Sequence, residues 1–206
     1  MTTATTQTGM YIDDAAQIRW PDGFAPKDAT FFIHNETLVD APPEYVWRVL
    51  VEAEKYPTYY EGAKNVIVHD GIEGRLVPNS SFNWLSVGWA VHSTVRTFEP
   101  NQQLSWSFRR KLFSGVHAWL LVPESEGSKT ALITQETQVG PMAHIQNVFA
   151  PRMLYGFHEL WLAGIKAIAE SRAERSRTST RWNGRLGLTV TSSPQTLSCS
   201  GRESQQ

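Results

Sequence analysis

Two side chains in this sequence pair proton-transfer chemistry with an apolar setting: His117 and Glu136. An imidazole exchanges a proton near neutral pH. A carboxylate among apolar groups has its pKa raised by desolvation and can serve as acid or base. His117 belongs to the alternating set His117, Trp119 and Leu121, and Glu136 to the set Leu132, Thr134, Glu136 and Gln138. If both sets turn to one interior, the two groups form a pair suited to removing a proton beside a carbonyl. That step leads to enolisation, aldol-type ring closure or loss of water. Alternation leaves open which face of these two segments turns inward. The competing reading is a packed or surface histidine, with Glu136 solvated or paired with Arg96 or Arg109.

The surroundings of this pair are aromatic. Between Ser80 and Gly140 lie Trp84, Trp89, Trp106 and Trp119. Phe82, Trp84 and Ser86 share one strand face. Leu104, Trp106 and Phe108 oppose Ser105, Ser107 and Arg109, so the first set points inward. Candidate ligand contacts are therefore Phe82, Trp84, Trp106 and Trp119, with hydroxyls from Tyr59, Tyr60, Ser93 and Tyr155 to orient a ligand. Asn83 and His158 are further polar groups of undecided direction. Core packing is the plainer reading of any single tryptophan.

Regular elements must hold these groups. Thr30–Asp40 reads as a strand. A helix opens at Pro43, whose missing N–H costs nothing at the first helical position, and Glu44 suits the positive end of the dipole. Pro57 interrupts it, and a short second turn is expected near Thr58–Gly62. Strands follow over Asn65–Asp70, Ser80–Ser86, Trp89–Glu99, Gln103–Lys111, Val116–Pro123 and Thr130–Gly140. They are separated by Asp70-Gly71, Pro78-Asn79, Gly88, Pro100-Asn101, Ser114-Gly115 and Glu126-Gly127. Connections this short join antiparallel neighbours. Ala143–Ala150 reads as a helical segment broken by Pro151. A longer helix follows, with Met153, Phe157, Leu160, Trp161, Gly164 and Ile168 as its apolar stripe, ending within Glu170–Arg175. One such helix facing one curved sheet leaves an internal hydrophobic cavity rather than a solid core.

The chain has 206 residues, net charge -1 and 41% hydrophobic residues. These numbers allow one domain with extensions: residues 1–28 as an N-terminal extension, 29–173 as the domain, and 174–206 as a basic, Ser/Thr-rich, disordered tail. Residues 1–170 carry 13 Lys+Arg against 18 Asp+Glu, which argues against nucleic acid as a partner. Arg109-Arg110-Lys111 is a local exception, expected to be solvated or to meet an acidic headgroup or carrier protein. The single cysteine, Cys199, permits no internal disulfide. No segment approaches the roughly 20 apolar residues of a membrane span, and Met1–Met10 lacks the features of a secretory signal, so a cytoplasmic protein is expected. The six histidines are scattered without metal-ligand spacing, and no phosphate-cradling glycine loop occurs, so no metal or cofactor is expected.

The order strand, two short helices, six strands, long helix meets a recognisable string at Val39-Asp40-Ala41-Pro42-Pro43-Glu44-Tyr45-Val46-Trp47-Arg48-Val49-Leu50 with Tyr56-Pro57. This resembles the opening of the START-like, or Bet v 1-like (SRPBCC), superfamily, and above all its polyketide cyclase/dehydrase-type members. Further matching segments are Phe98-Glu99-Pro100, Leu104-Ser105-Trp106, His117-Ala118-Trp119, Thr134-Gln135-Glu136-Thr137 and His158-Glu159-Leu160-Trp161. The resemblance spans about Thr30 to Arg172. It implies an α+β helix-grip fold, a curved seven-stranded antiparallel sheet around a long C-terminal helix with a cavity between them. Two functions fit the residues and the resemblance. The first is a cofactor-independent enzyme of small-molecule biosynthesis, acting on a hydrophobic, carbonyl-rich intermediate such as a polyketide by cyclisation, dehydration or isomerisation. The second is a carrier or sensor of a hydrophobic small molecule or lipid. Association into a homodimer is left open.

Overall fold

A computed structural model describes residues 9–185; residues 1–8 and 186–206, including Cys199 and most of the expected tail, lie outside the described residues. Antiparallel strands β1 (Phe31–Val39), β2 (Ala63–His69), β3 (Ser81–Ser86), β4 (Trp89–Glu99), β5 (Gln103–Arg109), β6 (Ser114–Glu124) and β7 (Lys129–Val139) form one sheet in the order β1-β7-β6-β5-β4-β3-β2. The helices are α1 (Pro43–Val51), α2 (Pro141–Phe149) and α3 (Pro151–Arg185). A 3-10 helix at Ala53–Thr58 contains Pro57, so the second short helix precedes the expected Thr58–Gly62. This is the helix-grip architecture.

Local chemistry accounts for the boundaries. Pro43 occupies the first turn of α1 with Glu44 beside it. Asn79, Gly88, Asn101 and Gly127 adopt φ of 63°, 81°, 62° and 82°, the left-handed values that reverse the chain between strands. Ser114-Gly115 is different. The turn closes earlier, through Arg110 N–H donating to Phe113 O at 2.8 Å, and Gly115 lies inside β6. A Cβ at Gly115 would sit 2.5 Å from Phe108 Cζ and 2.4 Å from Thr137 O, so the glycine admits the Phe108 ring onto the concave face.

Strand register aligns side chains in rows across that face. Ile33 pairs with Glu136, Glu136 with His117, His117 with Trp106, and Trp106 with Val95. The face of β6 carrying His117, Trp119 and Leu121 therefore turns inward, as does the face of β7 carrying Leu132, Thr134 and Glu136. The opposite faces of these strands are buried too. Ala118, Leu120 and Ile133 pack under Ala15, Ile18, Tyr11 and Trp20 of the N-terminal segment.

α3 fills much of the concave side. Its buried face runs through Leu154, His158, Trp161, Leu162, Ile165, Ala169 and Ala173. This differs from the expected stripe, since Met153 and Leu160 are exposed. Arg172 donates to Glu52 at 2.6 Å, and Lys166 Nζ to Leu38 O, fixing the helix to the end of α1 and to β1. Among the described residues, those up to Ala173 form one compact unit, and those from Glu174 form a second. The helix continues to Arg185, beyond its expected end within Glu170–Arg175, and Thr178 Oγ1 donates to Glu174 O at 3.0 Å within that unit.

The depth of α3 in the sheet depends on Gly164, where a Cβ would lie 2.6 Å from Tyr59 O and 2.8 Å from Tyr59 Cδ2. A Cβ at Gly156 on the same helix would meet nothing within 4 Å. Gly164→Ala is expected to destabilise the domain by about 1–3 kcal/mol through overpacking against backbone. Gly156→Ala should be neutral or stabilising by up to about 1 kcal/mol, since alanine is the better helix former. Thermal or urea unfolding of the two variants measures the contrast.

Candidate functional site

β6, β7 and α3 bring three titratable side chains together. His117 Nδ1 lies 3.1 Å from Glu136 Oε2, and His158 Nε2 lies 3.4 Å from the same oxygen. Gln138 Nε2 donates to Glu136 Oε1 at 2.6 Å, and His117 Nε2 lies 2.7 Å from Thr134 Oγ1. The two imidazoles lie 4.7 Å apart between centroids. His117, Glu136 and His158 are all buried. Antiparallel register explains the first contact, and the position of His158 one turn before Trp161 on the buried face of α3 explains the second.

The electrostatics follow from burial and these contacts. Burial pushes the His117 imidazole down to about 4, against the opposing pull of Glu136. Burial alone would raise the Glu136 carboxyl; hydrogen bonding from His117 and His158 outweighs it and holds the group below the usual carboxylate range. Glu136 is therefore ionised and His117 neutral near pH 7. An ionised carboxylate only accepts, which assigns protons to His117 Nδ1 and His158 Nε2 and leaves His117 Nε2 to accept from the Thr134 hydroxyl. Among the described residues Glu136 pairs with no Lys or Arg, including Arg96 and Arg109. The three facing atoms lie within 4.8 Å of one another, so His117, Glu136 and His158 are also the residues that could hold a divalent cation. They come from three elements, which is why linear spacing did not display them. Hydrogen bonding by itself accounts for their arrangement.

His117 and Glu136 stand on the wall of a cavity of about 220 Å³. Trp84, Trp106, Phe108 and Gln138 continue the sheet side of this wall, and Met142, Ile145, Met153 and Leu154 close it from α2 and the start of α3. Of the residues expected to contact a ligand, Trp84 and Trp106 line this cavity. The others do not, and Trp161 fills the space that Tyr60 and Trp119 face. Trp161 is buried, stacks on Tyr60 at 4.4 Å, and lies 5.1 Å from Trp119. Phe82 packs on Trp84 and Trp106. Ser93 Oγ accepts from Trp84 Nε1 at 3.1 Å. The Tyr59 hydroxyl is buried, and burial pushes it above the ordinary tyrosine value. Tyr155 is 43% exposed on the outer side of α3, where its carbonyl accepts from Asn35. Asn83 is exposed and bonds His69 and His92.

His158 is the member of the cluster whose direction the sequence leaves undecided, and Trp161, expected on the apolar stripe of the helix, reaches further into the site than the stripe alone implies. The signal for His158 is a helical phase, Leu154-His158-Trp161-Ile165-Ala169, whose histidine competes poorly with apolar neighbours.

Comparisons with known proteins agree with this architecture. A hypothetical protein of Helicobacter pylori superposes with TM-score 0.69 at 24% identity, covering 81% of this chain and 99% of its own. The di-domain ARO/CYC StfQ of the steffimycin biosynthetic pathway superposes with TM-score 0.55 at 19% identity, over 70% of this chain and 53% of its own. A norcoclaurine synthase mutant of Thalictrum flavum gives TM-score 0.53 at 13% identity, over 68% of this chain and 94% of its own. At these identities the likeness is one of fold. No curated protein matches the chain. A family model described as polyketide cyclase/dehydrase and lipid transport matches residues 33–170. That match takes in both sheet edges, the triad and most of the buried face of α3, and the chain belongs to this family.

Proposed function

We propose that the protein binds a compact, hydrophobic, carbonyl-bearing molecule and promotes its cyclisation, dehydration or isomerisation by proton transfer at Glu136. The observation that carries this reading is a carboxylate held ionised between two imidazoles on the wall of a largely apolar cavity. The ionised carboxylate accepts a proton from the carbon beside a carbonyl. His117 Nδ1–H and His158 Nε2–H hold it in place and set its basicity, and Gln138 fixes its other oxygen. A bound ligand excludes water and weakens the hydration that an anion otherwise prefers, so Glu136 becomes a stronger base as the site fills. An engineered apolar cavity of about 150 Å³ takes one benzene ring. The volume of about 220 Å³ therefore fits one or two fused rings, or a folded chain of similar size. Membership in a family that also serves lipid transport supports a second reading, a carrier that holds such a molecule without reaction.

The two readings separate on one experiment. Glu136→Gln keeps the shape and the contact with Gln138 but removes the base. Turnover of the ligand that co-purifies with the protein, or of a carbonyl-bearing analogue, should fall by about 10²–10⁴-fold, with affinity changed only a few-fold. Full activity in Glu136→Gln would reject the assignment, and unaltered recovery of a tightly bound ligand with no conversion by wild type would favour the carrier.

The His117 shift also predicts a pH dependence of stability. Its folded pKa of about 4 lies below the ordinary value of 6.5, so the unfolded state binds the proton first. Stability is complete above about pH 6.5 and falls between there and about pH 4. Glu136 adds its own loss only below its unfolded value near 4.5. Thermal melts from pH 7 to pH 5 should therefore show a decline that His117→Gln reduces. An equal decline in both proteins would place the titration elsewhere.

A further inference from the structure

We propose that the outer end of the cavity docks on an anionic lipid surface. Three segments converge there: the β3–β4 turn, the β5–β6 turn, and α2 with the first turn of α3. Val87, Trp89, Phe113, Met142, Ile145 and Met153 all line this end of the cavity. The segments are bound to one another. Arg110 places its guanidinium 4.9 Å over the Trp89 ring and donates to Ala90 O at 2.7 Å, and Met142 N–H donates to Leu112 O at 3.3 Å.

Two independent features of this rim point to the same partner. First, Trp89, Leu112, Ile145, Val148 and Met153 are each between 45% and 57% exposed. Large apolar side chains exposed singly are ordinary on a folded domain, but a group around a cavity mouth marks a contact surface. α2 shows this most plainly. Ala143 is buried against β1, yet the outward side carries Ile145 and Val148 where a solvent-facing helix carries charge. Second, the charge on the rim is of one sign. Residues 86–90, 109–114 and 140–153 contain Arg109, Arg110, Lys111 and Arg152 and no Asp or Glu, although residues 1–170 as a whole carry 13 Lys+Arg against 18 Asp+Glu. An anionic bilayer takes both features together. The aromatic and aliphatic side chains enter below the headgroups, Trp89 sits at their level, and the basic groups remain among the phosphates. Because Trp89, Ile145 and Met153 of this rim line the cavity itself, a hydrophobic ligand would pass between bilayer and cavity without crossing water. The inference goes beyond the proposed reaction and holds whether or not chemistry follows binding.

Sedimentation of the full chain with lipid vesicles tests it. Binding is expected to vesicles of phosphatidylcholine mixed with phosphatidylglycerol, with little to phosphatidylcholine alone, and to weaken steeply as salt is raised. Arg109→Ser with Lys111→Ser should lower the partition coefficient by about 30-fold, the loss of two basic contacts. Ile145→Ser with Val148→Ser should lower it on the same vesicles, while the melting temperature of both double variants stays at the wild-type value because all four side chains are exposed. Failure to bind the anionic vesicles, binding that ignores lipid charge, or binding that neither double variant weakens would overturn the proposal. Capture of an acidic carrier protein by the same rim, with vesicles ignored, would also overturn it and assign the surface to a protein partner.

Discussion

Everything else in the domain depends on the insertion of Trp161 into the concave side of the sheet. Its ring lies within 6.0 Å, centroid to centroid, of Tyr56, Tyr60, Trp84, Trp106, His117 and Trp119. A buried tryptophan removes on the order of 150–250 Å² from water, so this contact supplies a large share of the attraction between helix and sheet. It also sets the rotation of α3. With Trp161 pointing at the sheet, His158 three residues earlier points at Glu136, and Gly164 three residues later meets the Tyr59 backbone. A helix rotated by one residue, about 100°, would lose the triad and the close approach together.

The same insertion decides where empty space remains. The half of the concave face carrying Phe82, Trp119 and Tyr60 is solid, and the other half, toward Phe108, Gln138 and α2, stays open. The polar triad sits at the boundary between the two. Its position is fixed from the sheet side by register, because Glu136 and His117 are direct partners across β6 and β7. A slip of one residue between these strands would send one of them to the convex face, under the N-terminal segment. Fold and site are thus specified by two discrete choices, a helical phase and a strand register.

These two choices explain what was legible in the chain. Strand order and most turns could be read, because Asn79, Gly88, Asn101 and Gly127 carry the conformations their types favour. The inward faces of β3 and β5 were legible because polar residues mark their outer sides. β6 and β7 were not, because both faces are buried: Ala118, Leu120 and Ile133 lie under Ala15 and Ile18. Alternation disappears where a sheet is covered twice. The apolar stripe of α3 was legible at Trp161, Phe157, Gly164 and Ile168 but not at its edges, for a related reason. Met153 and Leu160 are apolar but exposed, while the buried His158 is polar. Membership of the cavity wall was the least legible of all, since nothing local to Trp119 or Tyr60 announces that a tryptophan from a distant helix will occupy the space in front of them.

A container for apolar molecules has no physical need of Glu136. Placing an anion among Trp84, Trp106 and two imidazoles carries a desolvation cost that only its hydrogen bonds offset, and replacing buried ionic groups by apolar ones of like volume is often neutral or stabilising. The chain instead surrounds the carboxylate with a complete set of supports. His117 and His158 face one oxygen, Gln138 the other, and Thr134 steadies His117 from behind. Supports of this kind hold a group at fixed position and protonation state, which a proton-transfer step requires and simple storage does not. Apolar contact alone would retain a hydrophobic ligand at lower cost, and this difference is the physical support for the proton transfer proposed at Glu136.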